Sequence, residues 1–324
     1  MAPASSSCVL VFDVGGSHVS AALCHPLSYE LGPVVHAQHP DDQSIEAFVD
    51  VLASLAAQAD GDMSNVSGAS LAMPGPFDYV EGVSWMRHKL PYLYGVNLRQ
   101  ELAFRFNLEP GDVRFLNDAA AFLLGEVGTG AARGVSRAVG VTLGTGVGSA
   151  FAINGGVETE GPGIPPGGEI WNLPYEGGIV EDLISTRGLQ HRYKQSSGKH
   201  CEVADIAFAA PSDPAAAAVF ADFGRDLGRV FKNLFAAFAP EVVVIGGGIA
   251  RSAKLFLPQA QQELRGFPIE LRISTLGDSA PLVGAGVSWF AGCVCCASVP
   301  CECAAKGEPH KTEVCSDVAL RSSK

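Results

Sequence analysis

The sequence predicts an α/β protein built as two related lobes, and three observations carry that expectation. Stretches of β-branched, apolar residues alternate along the chain with stretches whose apolar residues recur at helical spacing, the pattern of a partly parallel sheet with helices laid on it. A strand, a tight glycine turn and a returning strand occur at Val9 to Leu23 and again at Ala138 to Ile153, a weak duplication that suggests two similar halves facing each other. The length of 324 residues suits two domains, each able to bury its own core.

Val9 to Val14 is a β-rich run that meets Gly15-Gly16-Ser17 and resumes as Val19 to Leu23, which reads as a β-hairpin. Ile45, Phe48, Val49, Leu52 and Leu55 define one face of a helix from Ser44 to Ala59, capped by Ser44. Val66 to Met73 reads as a strand broken by Pro74-Gly75-Pro76. Leu98 to Phe106 reads as a helix, Val113 to Leu116 as a short strand, and Asn117-Asp118 introduces an Ala-rich helix from Ala119 to Val127. In the second half, Ala138 to Leu143 and Val147 to Ile153 are strands around Gly144-Thr145-Gly146. Residues 154–178, rich in Gly and Pro, read as a long functional loop. Ala215 to Phe238 is a long helix with an apolar face, Val242 to Ile245 a buried strand leaving through Gly246-Gly247-Gly248, and Pro281 to Phe290 a closing helix. The expected division is an N-terminal lobe at 1–116 completed by the helix at about 281–291, a C-terminal lobe at 117–280, and a Cys-rich, disordered tail at 292–324.

Hydrophobic residues make up 47% and charged residues 17% of the chain, too apolar for a disordered protein, and no run of ~18 uninterrupted apolar residues occurs. Acidic residues outnumber basic ones 34 to 22, so the net charge of −12 argues against nucleic acid or an anionic membrane as the main partner. Cys8, Cys24 and Cys201 are the only cysteines before the tail, which holds Cys293, Cys295, Cys296, Cys301, Cys303 and Cys315. The body therefore has no disulfide framework, and no basic segment precedes the apolar run at Cys8 to Phe12, so a reducing, cytoplasmic setting is expected. The tail spacing fits no recognised zinc motif; a disordered appendage is the first reading, a metal-binding or redox-sensitive tail the second. His18, His25, His36, His39, His88, His191, His200 and His310 show no metal-ligand spacing and read as surface or packing residues.

Glycines in a turn let backbone N–H groups approach phosphate oxygens, and a strand-end carboxylate such as Asp13 can hold a cation or its water. Gly15-Gly16-Ser17-His18 has neither the glycine spacing of a dinucleotide fingerprint nor the Gly-Lys-Ser/Thr ending of a P-loop. Gly144-Thr145-Gly146-Val147-Gly148 offers a second phosphate cradle. Asn117-Asp118 is either an ordinary helix cap or a carboxylate at the floor of a cleft, able to accept a proton from a substrate hydroxyl. Glu169 and Glu181, each taken alone, read as solvated surface residues.

Six segments, in order, carry a resemblance: Asp13-Val14-Gly15-Gly16-Ser17, Met73-Pro74-Gly75, Phe115 to Ala121 with Gly125-Glu126, Thr142 to Gly148, Gly168-Glu169-Ile170, and Val244 to Gly248. Together they resemble the ROK family of sugar kinases, repressors and related proteins, across about residues 8 to 290. The resemblance implies the actin-like, ribonuclease-H-like ATPase fold, with two related lobes around a central cleft that close over nucleotide and sugar. Asp13 matches the carboxylate near Mg²⁺, which it meets directly or through water. Gly15, Gly16 and Ser17 match the first phosphate turn, Ser17 replacing a more usual threonine. Thr145 and Gly146 match the second phosphate turn, and Gly246, Gly247 and Gly248 the turn beside the adenosine. Gly75, Asn117, Asp118, Glu169 and Glu181 match sugar-binding positions, with Asp118 the catalytic base. One departure stands out. Asn172 occupies the place of a histidine that often precedes a Cys-rich zinc knot, and no cysteine is near. A site without thiolates or imidazole cannot close tetrahedral zinc. No structural zinc is therefore expected, and Trp171 and Tyr175 are expected to organise the loop by packing.

The repressor branch carries a DNA-binding helix-turn-helix ahead of its sugar domain, for which the strand starting near residue 8 leaves no room; the acidic charge agrees. The kinase branch implies ATP- and Mg²⁺-dependent transfer of a phosphoryl group to a hexose, glucose to glucose 6-phosphate first of all, with Asp118 as general base, in a homo-oligomer with no nucleic acid or membrane partner. The alternatives are another hexose or N-acetylhexosamine as acceptor, polyphosphate as donor, or a sugar-binding sensor without turnover.

Overall fold

The computed structural model describes residues 7–59 and 66–291; the cysteine tail, and with it the readings made of that segment, lies outside the described residues. The chain forms two compact units, dividing after Asp118 and again after Gly284.

In the first unit, β1 (Cys8–Val14) and β2 (His18–Cys24) pair antiparallel as the hairpin expected from their sequence, and β3 (Val35–Gln38) adds a further antiparallel strand. α1 (Ile45–Ala59) starts where the Ser44 hydroxyl accepts from the Ala47 N–H at 3.2 Å, the cap read from the sequence. β4 (Val66–Met73) returns parallel to β1. After the Pro74–Pro76 break come the short hairpin of β5 (Phe77–Asp78) and β6 (Val83–Ser84), then α2 (Leu98–Phe106), capped by Asn97, and β7 (Val113–Asn117), parallel to β4. The sheet order is β3-β2-β1-β4-β7. Leu10, Phe12, Phe48, Leu52, Leu71 and Leu102 are fully buried in its core, each contributing roughly 1.5–3 kcal/mol by leaving water.

In the second unit, α3 (Asp118–Gly128) leads to a meander of β8 (Arg137–Leu143), β9 (Val147–Ile153) and β10 (Gly156–Glu158). The Gly- and Pro-rich stretch is thus more ordered than a long loop: β10 lies in it, and so does most of a small hairpin of β11 (Pro174–Tyr175) and β12 (Gly178–Ile179). The helices α4 (Val180–Ile184), α5 (Thr186–Ser197), α6 (Val203–Ala209) and α7 (Pro214–Phe235) precede β13 (Val242–Gly246), α8 (Ala253–Glu263) and β14 (Glu270–Ile273). The order β10-β9-β8-β13-β14 repeats the first sheet: three antiparallel strands followed by two parallel ones. The duplication read from two hairpins therefore extends over five strands.

The last helix, α9 (Ala280–Ala291), crosses the division at Gly284 and returns the chain to the first unit. There the Arg114 guanidinium lies 4.3 Å from the Trp289 ring, and Gly68 leaves room for the same indole. Among the described residues no single helix is long and apolar enough to cross a membrane; α6 and α7 pass such a test only as a pair bent by 116°.

Candidate active site

Parallel pairing fixes where the first unit's site residues fall. Asp13 on β1 is in register with Ala72 on β4, and Met73 on β4 with Asn117 on β7. Asp13, the Met73-Pro74-Gly75 exit and Asn117-Asp118 therefore share the carboxyl edge of three adjacent parallel strands, the edge at which α/β sheets bind ligands. Asp13, Asn117 and Asp118 are all half-buried. The Asn117 Nδ2 donates to the Tyr79 hydroxyl at 3.2 Å, which itself donates to the Met73 carbonyl at 3.2 Å. A Cβ on Gly75 would lie 3.6 Å from that same hydroxyl. Tyr79, for which the sequence offers no signal, thus joins the β4 exit to the end of β7.

The β1–β2 turn is closed by the Gly15 N–H donating to the His18 carbonyl at 2.9 Å, and Gly16, Ser17 and His18 are exposed. A Cβ on Gly16 would meet nothing within 4 Å. The turn faces open space where an anion can approach its backbone. His39, read from sequence as a surface or packing residue, packs its ring against Phe48 and also contacts this turn: Nε2 lies 2.8 Å from the Gly15 carbonyl oxygen.

In the second unit, β8 and β13 end together, with Thr142 opposite Gly246. Gly247 has φ of +83°, and a Cβ there would strike the backbone of Leu143; one on Gly246 would strike the Phe122 ring. These glycines let the β13 exit lie against the start of the Gly144-Thr145-Gly146 turn. Thr145 is exposed at that turn. The Thr186 N–H, at the start of α5, donates to the Gly144 carbonyl at 2.8 Å.

Glu169 and Glu181 come together through Trp171. The Trp171 indole N–H donates to Glu169 Oε2 at 2.9 Å, while the Trp171 carbonyl accepts from the Glu181 N–H at 3.0 Å. Buried Ser149 on β9 grips both flanks of Glu169, donating to the Gly168 carbonyl at 2.6 Å and accepting from the Ile170 N–H at 3.0 Å. The Glu181 carboxylate accepts from the Val147 N–H at 3.1 Å and lies 3.6 Å from Arg187, so it also braces the second glycine turn. The loop that contains Asn172 is organised by the β11–β12 hairpin and by the Asn233 amide donating to the Tyr175 hydroxyl at 3.2 Å. Trp171, expected to pack, is 39% exposed and acts through its N–H and carbonyl. Among the described residues no group of three or more His, Cys, Asp or Glu side chains is placed to hold a metal ion.

The sequence-derived residues thus form two sets. Asp13, Gly15, Gly16, Ser17, Gly75, Asn117 and Asp118 belong to the first unit, and Thr145, Gly146, Glu169, Glu181, Gly246, Gly247 and Gly248 to the second. Tyr79, Ser149, Trp171 and His39 hold these residues in place; of the four, the sequence points to a role beside the site only for Trp171.

Two matching five-stranded units with glycine turns at their strand ends are the architecture of the actin-like ATPase fold. Residues 9–291 match the model of the ROK family, and the chain belongs to that family. It is 30% identical over 202 residues to a glucokinase of Halalkalibacterium halodurans, a match that spans 52% of this chain and 61% of that one. It is 26% identical over 266 residues to an N-acetyl-D-glucosamine kinase of Aliivibrio salmonicida, covering 76% of this chain and 85% of that one. A ROK family glucokinase from Streptomyces griseus, solved in complex with glucose and AMPPNP, shares the fold with a TM-score of 0.72 at 22% identity, covering 86% of this chain and 98% of that one.

Proposed function

We propose that this member of the ROK family, a sugar kinase, transfers the γ-phosphoryl group of ATP to the 6-hydroxyl of a hexose, glucose first of all. The observation that carries the reading is the shared carboxyl edge of β1, β4 and β7, which sets Asp13, Gly75, Asn117 and Asp118 side by side. Asp118 accepts the proton of the acceptor hydroxyl as attack develops. The Asn117 side chain, its Nδ2 engaged by Tyr79, offers Oδ1 to a sugar hydroxyl, and Glu169 and Glu181 accept from others. The backbone of Gly15 to Ser17 and of Thr145-Gly146 receives the phosphates, and Gly246 to Gly248 border the adenosine. Phosphoryl transfer through a loose transition state needs mainly positioning and charge neutralisation, which suits a site made of backbone turns and a single base.

The donor set fits Mg²⁺: the ion takes one or two carboxylates together with phosphate oxygens and water, and Asp13 stands one residue before the end of β1, close to a turn that is open at Gly16. When bound, Mg²⁺ would neutralise phosphate charge there. The reading implies the cytoplasm, where ATP is available and the thiols of Cys8, Cys24 and Cys201 stay reduced.

The test is a coupled assay of glucose, mannose, fructose and N-acetylhexosamines against ATP and polyphosphate, run with the native protein and Asp118→Asn. Asp118→Asn is expected to lose about 10²- to 10⁴-fold in kcat while still binding the sugar. A variant turning over at the native rate removes Asp118 from the mechanism, and a native protein that binds sugar but consumes no donor makes it a sensor.

A further inference from the structure

We propose that His39 is a positioning residue for the nucleotide, holding the Gly15-Gly16-Ser17 turn in the orientation that receives phosphate. The inference rests on the reading of that turn as a phosphate site. His39 follows β3, the edge strand beside the β1–β2 hairpin, and it holds the turn at both ends. Its Nε2 donates to the Gly15 carbonyl at 2.8 Å, and its backbone N–H donates to the Ser17 carbonyl at 3.3 Å.

The geometry of the peptide unit gives these bonds their consequence. In a trans peptide the C=O of one residue and the N–H of the next point in opposite directions. With the Gly15 carbonyl held by His39, the Gly16 N–H must point away from His39. A peptide between two glycines flips at little cost, and a flipped Gly15–Gly16 unit would swing its carbonyl to the side that the N–H now occupies. That would replace a donor with a negatively polarised oxygen where a phosphate is to bind. The imidazole bond selects one of the two orientations.

A packing role alone does not account for the residue. The His39 ring lies against the fully buried Phe48 at 6.0 Å between centroids and 23° between planes, an arrangement a phenyl ring would fill as well. The imidazole carries a cost that a phenyl would not: its Nδ1 is buried with no hydrogen-bond partner, and an unpaired buried polar atom is destabilising. What the imidazole adds is the donor at Nε2, and that donor is spent on Gly15.

Calorimetric titration with ADP in the presence of Mg²⁺ tests this on the native protein and three variants, alongside sugar KM and thermal melting. His39→Phe keeps the ring against Phe48 and loses the donor; His39→Asn keeps an amide that is too short to reach Gly15; His39→Gln extends an amide N–H to nearly the Nε2 position. His39→Phe and His39→Asn are expected to weaken ADP by about tenfold, and His39→Gln to recover to within about threefold of native, the scale of one hydrogen bond in a binding constant. Sugar KM is expected to stay at its native value in all three. Native-strength ADP binding by His39→Phe or His39→Asn overturns the proposal, and so does equal weakening in His39→Gln. A native protein that binds sugar but not ADP overturns the phosphate reading itself, an outcome visible before any variant is made.

Discussion

Replacing Tyr79 by Phe removes one oxygen from the carboxyl edge of the first sheet and leaves the ring contact with Phe77, 5.3 Å between centroids, in place. The lost hydroxyl makes two bonds of 3.2 Å, accepting from Asn117 Nδ2 and donating to the Met73 carbonyl. Leaving those half-buried groups without this partner costs about 1–3 kcal/mol of folding stability. The functional effect is separate. Asn117 is no longer held with its amide nitrogen toward β4, and fixing one such side chain when the sugar binds costs about 0.5–1.5 kcal/mol. That corresponds to about a two- to twelvefold rise in sugar KM, at 1.4 kcal/mol per factor of ten. The expected KM for ATP is unchanged, because the hydroxyl joins β4 and β7 and leaves the β1–β2 turn alone. Steady-state kinetics with each substrate varied in turn, together with a urea melt, reads both quantities. A Tyr79→Phe protein that melts earlier but keeps its native sugar KM would refute the reasoning and reduce Tyr79 to a stabilising residue.

Further expectations follow from the same geometry. Trp171→Phe keeps an aromatic ring and loses the N–H that holds Glu169 Oε2, so sugar KM should rise by about two- to twelvefold with ATP KM unchanged; equal kinetics would show that Ser149 alone orients Glu169. Gly16→Ala adds a methyl that meets nothing within 4 Å and should leave the urea midpoint unmoved while weakening ADP binding. Gly247→Ala forces a Cβ onto the Leu143 backbone at φ of +83° and should cost at least about 2 kcal/mol in the same melt. Burial, with the neighbouring Cys8 thiol second, pushes the Cys24 thiol up to about 12, so at pH 8 only about one molecule in 10⁴ carries the thiolate. Iodoacetamide should therefore leave Cys24 unlabelled in the native protein and label it after denaturation, as mapped by peptide mass.

What the sequence revealed and what it hid follow from how far each feature depends on its neighbours. β1, β2, β4, β8, β9 and β13 are apolar runs bounded by glycine, proline or a polar residue, so their pattern is local. β3, β10 and β14 have three or four residues each and are half-exposed at sheet edges; they exist because a longer strand offers them a ladder. α8 carries Pro258 in its interior, which a local reading takes for a break. The glycine turns and Asp118 were visible because backbone access and strand-end carboxylates leave a sequence mark. Tyr79, Ser149 and His39 leave none: a lone tyrosine, serine or histidine acquires a task only when register and turn geometry bring a particular carbonyl or amide to it.

The glycines show how structure sharpens a motif. Gly15, Gly16, Gly246, Gly247 and Gly248 stand in the same kind of run, yet they are glycine for different reasons. Phe122 occupies the space of a side chain at Gly246, and the Leu143 backbone occupies it at Gly247, so packing explains both without any ligand. At Gly16, Gly144 and Gly248 a Cβ would enter open space with no left-handed φ to excuse it. Packing does not explain these glycines, and on the proposed reading an anion drawn close to the backbone does. The open glycines are therefore the ones whose substitution separates binding from folding. The first of them, Gly16, lies in the turn that His39 contacts, so the two proposals describe one requirement: a backbone N–H left uncovered by any side chain and kept facing outward.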